Sequence, residues 1–258
     1  MPWTFAHPAA VLPLRKFCPT RLDLSALVIG SMIPDLGYYI LQFNLARLAH
    51  SFLGSFLICL PTGLALCGLF HLLRKPLWFV LPEPHRGALA ASATAPLVLH
   101  PRTLIVAALS VLLGTWTHIV WDSFTHNRWL VKALPFLRES VFRVGSVDFP
   151  LYALLQHLST VVGAVMLIAA YCSWLRLHGG SARTLVPAAD DRWRYLLLVA
   201  VTTLALAIAV PRAVVGYPAI HVMVFRMVIN TTVAFSTLLT LSSVLLYATR
   251  REGRQRVH

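Results

Sequence analysis

Charge is scarce in this chain: 12% of its 258 residues are Asp, Glu, Lys or Arg, where a soluble domain carries about 25%. So few ionic groups cannot solvate a globular exterior, which excludes an ordinary water-soluble domain. Acidic residues are rarest, 9 against 22 Lys+Arg, leaving a net charge of +13. That excess does not point to nucleic acid. The basic residues sit in short stretches between apolar runs (Arg74-Lys75, Arg192 with Arg194, Arg250-Arg251), as loops flanking membrane spans do. Cysteine is also sparse: of the four, none forms CxxC, and Cys59, Cys67 and Cys172 lie inside apolar runs. A thiolate zinc site or a disulfide framework is therefore not expected. No glycine-rich phosphate loop and no GxSxG elbow occurs, so neither a nucleotide cradle nor a serine nucleophile is expected.

What is abundant is apolar sequence, 58% of the residues, with a mean hydropathy of +0.73. Runs near twenty residues are long enough to cross about 30 Å of hydrocarbon. Five stand out: Phe52–Leu73, Leu104–Phe124, Leu151–Leu175, Tyr195–Val215 and Ala219–Tyr247. None shows the strict alternation of a transmembrane strand. The fold class expected is all-α, a polytopic transmembrane helical bundle of five or six spans in contact with the lipid bilayer. The sixth is Leu22–Phe43, apolar but interrupted by Pro34-Asp35; it reads either as a span or as a broken, re-entrant helix shielded by protein. Lys75–Pro101, with five prolines, reads as irregular, and Asn127–Pro150 as a polar, basic loop. The expected organisation is a membrane-embedded domain over residues 1–178, a connecting loop over 179–194, and a C-terminal transmembrane hairpin with a basic tail over 195–258.

Against this background the polar residues that remain are informative. In His118-Ile-Val-Trp-Asp122-Ser-Phe-Thr-His126, spacings of four place three side chains on one helical stripe, about 40° apart per step. Imidazole and carboxylate are zinc ligands, and the stripe lies at the end of a membrane run. His7, Asp35, His50 and His157 are further candidates, each near the end or the break of an apolar segment. A carboxylate within a membrane segment is costly and by default marks function. Blander roles are open to each: an interfacial histidine, a helix cap, or Asp35 paired with Arg47.

The segments MPWTFAHPAAVLPLRK, LSALVIGSMIPDLGYY, HSFLG, LLGTWTHIVWDSFTH and LYALLQHLST resemble the bacterial membrane family known as domain of unknown function 4184. The resemblance runs from Met1 to about Leu175 and extends over the chain; it implies a multi-pass protein of the cell (inner) membrane and assigns it no particular activity. More distantly, Pro34-Asp35, His50-Ser51 and His118/Asp122 follow the order seen in the LexA-binding inner-membrane proteins classed as metal-dependent hydrolases. The same order is similar to the zinc-dependent phospholipase C and P1 nuclease site. That likeness implies Asp35, His50, His118, Asp122 and His126 as ligands, with His7 joining them. His157 is followed by Leu158-Ser159-Thr160-Val161 instead of a His-x-x-x-Glu pattern, so a complete trinuclear cluster is not implied.

Three functional readings follow. The first is a membrane-embedded hydrolase using a divalent metal, zinc by ligand type, on a phosphoester or lipid-like substrate. In it His7, Asp35, His50, His118, Asp122, His126 and His157 supply the metal set, and Asp35 and Asp122 double as the catalytic carboxylates. The second is a transporter or metal-handling protein with a polar path, and the third a structural or assembly protein whose polar stripe ties helices together.

Overall fold

The computed structural model describes residues 3–18, 21–96, 100–145, 147–179, 191–216 and 219–255. The backbone is helical nearly throughout. Among the described residues five helices are long and apolar enough to cross a membrane: Phe52–Phe79, Pro101–Thr125, Leu151–His178, Arg192–Val214 and Ile220–Arg250. Each covers one of the five expected runs. Large apolar side chains on them, such as Leu57, Leu72, Ile105, Val161 and Ile168, are exposed, as lipid-facing residues should be.

The sequence Leu22–Phe43 does not form a sixth such helix. It is broken into α1 (Leu24–Met32), a 3-10 turn at Ile33–Asp35 and a single turn at Leu36–Tyr39. Nine residues of α1 reach roughly 14 Å, about half a hydrocarbon core. The break has a local cause, since Pro34 cannot donate a backbone hydrogen bond and favours a helix start over a helix interior. A helix α2 (Phe43–Ala49) follows and leads into α3 (Phe52–Phe79), which opens through a π-helical stretch at Ser55–Cys59. Before α1, a 3-10 helix covers Thr4–Val11.

The expected irregular stretch at Lys75–Pro101 is corrected. Helix α3 continues through Pro76 to Phe79, and His85–Thr94 forms a further helix. The prolines punctuate helices here, and the Ala-rich segment between them is a good helix former. Asn127–Pro150 also holds more order than a loop: β1 (Ser140–Val144) and β2 (Val147–Pro150) pair antiparallel, with the Phe142 and Phe149 rings stacked at 4.9 Å. Most of the expected connecting loop, residues 180–190, lies outside the described residues, as does the tip of the basic tail.

The chain divides into two compact units. The first comprises Met1–Gly68 and Val98–Cys172, the second Leu69–Leu97 and Ser173–His258. In the second unit α6 (Arg192–Val214) packs along α7 (Ile220–Gln255). At its start the buried Arg194 guanidinium donates to Asp191 Oδ1 (2.9 Å) and to the Phe79 carbonyl (3.1 Å).

The first unit contains Asp35, His50, His118 and Asp122. Its centre is the packing of α1 on α4 (Pro101–Thr125). Two glycines allow the backbones to touch: a Cβ on Gly30 would collide with the Val111 carbonyl, and one on Gly114 with that of Leu27. Close approach through small residues is how helices associate where water gives no hydrophobic drive. The contact is fastened by hydrogen bonds from Thr115 Oγ1 to the Gly30 carbonyl (3.2 Å) and from the Asp23 amide to Ser110 Oγ (2.9 Å). One helical turn beyond Gly114 stands His118.

Candidate metal centre

Helix periodicity places His118 and Asp122 on the inner face of α4, both essentially without solvent exposure. The break after α1 turns Asp35 toward them, and the end of α2 presents His50. Asp35 is 0% and His50 7% exposed. Four ligand atoms thus meet: Asp35 Oδ1, His50 Nε2, His118 Nε2 and Asp122 Oδ2. His50 Nε2 lies 3.3 Å from Asp35 Oδ1 and 3.3 Å from Asp122 Oδ2. His118 Nε2 lies 3.5 and 3.6 Å from the same two oxygens, and the two imidazole nitrogens are 3.2 Å apart.

These separations can be compared with those of an ion's ligands. Donors about 2.0–2.1 Å from a tetrahedral zinc stand about 3.3–3.4 Å from one another. The observed 3.2–3.6 Å brackets that value. Asp35, His50, His118 and Asp122 can therefore hold a metal ion, and all four are buried.

The hydrogen bonds around the cluster orient it. His118 Nδ1 donates to the Ser31 carbonyl (2.7 Å), and His50 Nδ1 donates to the Ala46 carbonyl (2.7 Å). Each ring thereby keeps its proton on the outer nitrogen and turns the Nε2 lone pair inward, the arrangement usual for histidine ligands. Two lone pairs 3.2 Å apart repel unless a cation lies between them. On the other side, Thr4 Oγ1 donates to Asp35 Oδ2 at 2.6 Å, leaving Oδ1 for the centre. Asp35 Oδ1 and both Asp122 oxygens are buried with no hydrogen-bond partner among the described residues. Leaving carboxylate oxygens so costs several kcal/mol unless a positive charge compensates.

Two more histidines border the cluster. His7, on the Thr4–Val11 turn, stacks on His118 with ring centroids 3.8 Å apart, and its Nε2 lies 3.5 Å from Asp122 Oδ1. His126 caps α4, with Nδ1 also 3.5 Å from that oxygen. Burial, with repulsion from His118, pushes the His7 imidazole down to about 3, and burial pushes His126 down to about 4. For His50, burial acts downward but is outweighed by the neighbouring Asp122 and Asp35 carboxylates, and its value rises. Asp35 stays below the usual carboxylate range: burial resists ionisation, and the neighbouring His118 and His50 imidazoles overcome it. His7 and His126 are thus neutral near pH 7, the form in which imidazole binds metal.

His157 is exposed on α5 (Leu151–His178), and no contact among the described residues joins it to this cluster. Arg47 does not pair with Asp35; it donates to Asn44 Oδ1. Thr4 and the carbonyls of Ser31 and Ala46 were not legible as site residues, since a lone threonine and backbone groups carry no sequence pattern. A cavity of about 230 Å³ adjoins His7, lined by Ala9, Pro13, Trp121, Val162 and Met166 among others. Gly163 on α5 permits the Thr4–Val11 turn to pass close by, since a Cβ there would sit 2.9 Å from the Ala6 carbonyl.

Membrane-length helices and a buried Asp–His–His–Asp set define a multi-pass membrane protein with a candidate metal centre. The chain belongs to the family described as domain of unknown function (DUF4184), whose model matches residues 1–249. No curated protein matches it, and no solved structure does. The two more distant resemblances accordingly find no support in these comparisons.

Proposed function

We propose that this protein is a membrane-embedded, zinc-dependent hydrolase acting on a phosphoester of lipid character, in a bacterial inner membrane. The observation that carries the reading is the match between the five separations that involve the two imidazole nitrogens, 3.2–3.6 Å, and those around one tetrahedral ion. Two carboxylates and two imidazoles also carry the charge that neutralises a divalent cation and the ligand type that suits zinc. When bound, such a cation supplies Lewis acidity and a coordinated water acidic near neutral pH. Asp35 and His50 orient through Thr4 and the Ala46 carbonyl, so the ligands are positioned before any ion or substrate arrives. Asp122 uses Oδ2 for the centre and turns Oδ1 toward His7 and His126. The cavity beside His7 is almost wholly apolar in its lining, which suits the tail of a lipid-like substrate better than a soluble metabolite.

A second reading is favoured by one feature of the same site. Four protein donors close a tetrahedral ion, as in structural zinc sites, where catalytic ones keep a position open. On that reading the ion pins the broken α1–α2 segment to α4 in a non-enzymatic membrane protein. Metal content and turnover of detergent-purified protein separate the two. The hydrolase reading expects stoichiometric zinc and hydrolysis of generic phosphodiesters, both lost in His118→Ala and Asp122→Ala. Zinc that is retained, and whose chelation lowers the melting temperature, with no hydrolysis of soluble or lipid phosphoesters, would leave the non-enzymatic reading standing.

A further inference from the structure

The four-donor set uses only one oxygen of Asp122. The other, Oδ1, is buried and lacks a hydrogen-bond partner among the described residues, as does Nε2 of His7, itself 4% exposed. These two atoms face each other at 3.5 Å. The separation is long for a hydrogen bond and close to the about 3.3–3.4 Å between two ligands of one tetrahedral ion. His126 Nδ1 also lies 3.5 Å from that oxygen.

We propose that Asp122 Oδ1, His7 and His126 form a second divalent-cation subsite, so that the Asp122 carboxylate bridges two ions. This rests on the first centre proposed above and gives it a binuclear form. The supporting geometry comes from two elements, the Thr4–Val11 turn and the end of α4. His7 is held by its stack on His118, which ties the two subsites together. His126 sits where α4 ends, its backbone already extended, so the ring can turn across the helix terminus toward Asp122. The nitrogen that approaches Asp122 Oδ1 is Nδ1, which also lies 3.1 Å from Thr125 Oγ1; the ligand role falls to it, with the ring proton on the buried Nε2.

The two subsites differ in what they leave open. The first has four protein donors and is closed. The second has three, which leaves coordination positions for a water or a substrate oxygen. His7 also borders the apolar cavity, so the open positions lie on the side from which an amphiphilic ester would come. Paired cations about 3.5–4 Å apart suit phosphoryl chemistry, where attacking and leaving oxygens both need charge stabilisation. The closed ion would then organise the site, and the open one would meet the ligand.

The test is metal stoichiometry on the full-length chain in detergent, loaded with Zn²⁺ or Mn²⁺ and freed of excess ion. Wild type is expected to retain about two ions per chain, and His7→Gln and His126→Gln about one each. With Mn²⁺, wild type should give the electron paramagnetic signature of an exchange-coupled pair, replaced by that of an isolated ion in either variant. His126, at a helix end with a 17% exposed side chain, can be changed with less risk to folding than His7, and melting curves check both. Saturation of wild type at one ion overturns the proposal, as does retention of two coupled ions in both variants. Two ions without phosphoester hydrolysis would uphold the subsite while removing the hydrolase reading; hydrolysis with one ion would do the reverse.

Discussion

At the scale of single residues, the cluster shows how few atoms decide whether a polar group in a membrane protein is a liability or a site. Asp35 is wholly buried, and its two oxygens have different tasks: Oδ2 takes the Thr4 hydroxyl at 2.6 Å, Oδ1 faces the histidines. Thr4 is therefore a positioning residue. Losing such an outer hydrogen bond typically lowers metal affinity about 10–100-fold. Thr4→Val, close in volume, is expected to weaken zinc binding within that range, measured by competition with a chelating dye, with the helical content unchanged. An unaltered affinity would mean that the hydroxyl has no part in holding Asp35.

At the scale of elements, the decisive feature is the seam between α1 and α4. Without side chains at Gly30 and Gly114 the two backbones come into contact, and this brings the Ser31 carbonyl within reach of His118 Nδ1. A larger residue at Gly114 meets backbone, which cannot rotate away. Gly114→Leu is expected to cost at least the roughly 1–3 kcal/mol typical of overpacking and to lose zinc in parallel, seen as a lower melting temperature and a lower metal content. Gly68, where an added Cβ meets nothing within 4 Å, is the matched control. Gly68→Ala should leave metal content unchanged and stability equal or higher by up to about 1 kcal/mol. Equal behaviour of the two variants would show that the seam does not position the site.

At the scale of the whole molecule, five helices of membrane length and a 12% share of charged residues make the bilayer the solvent for most of the surface. The protein is expected to stay with the membrane fraction under alkaline carbonate and to be released only by detergent, checked by fractionation. Release by carbonate or high salt would contradict membrane integration. The net charge of +13 then belongs to flanking and connecting segments, where anionic lipid headgroups compensate it.

The spans were legible in the linear sequence because hydropathy over about twenty residues is a local property that bilayer thickness converts directly into structure. The pairing of His118 with Asp122 was legible for the same kind of reason, since four-residue spacing on a helix needs no knowledge of partners, whereas His126 falls just past the helix end in extended backbone. Asp35 and His50 could be named as chemically unusual, but their meeting with α4 depends on a break at Pro34 and on a glycine seam between segments some eighty residues apart. Helix-forming order at Lys75–Pro101 was hidden by prolines that turn out to punctuate helices, and the β1–β2 hairpin by a basic composition that reads as loop. Which nitrogen of each imidazole points inward, and that Thr4 supports Asp35, were decided by tertiary packing alone. A hydrogen bond to a carbonyl or a distant carboxylate depends on angles and distances of a few ångströms, and residue order carries no record of them.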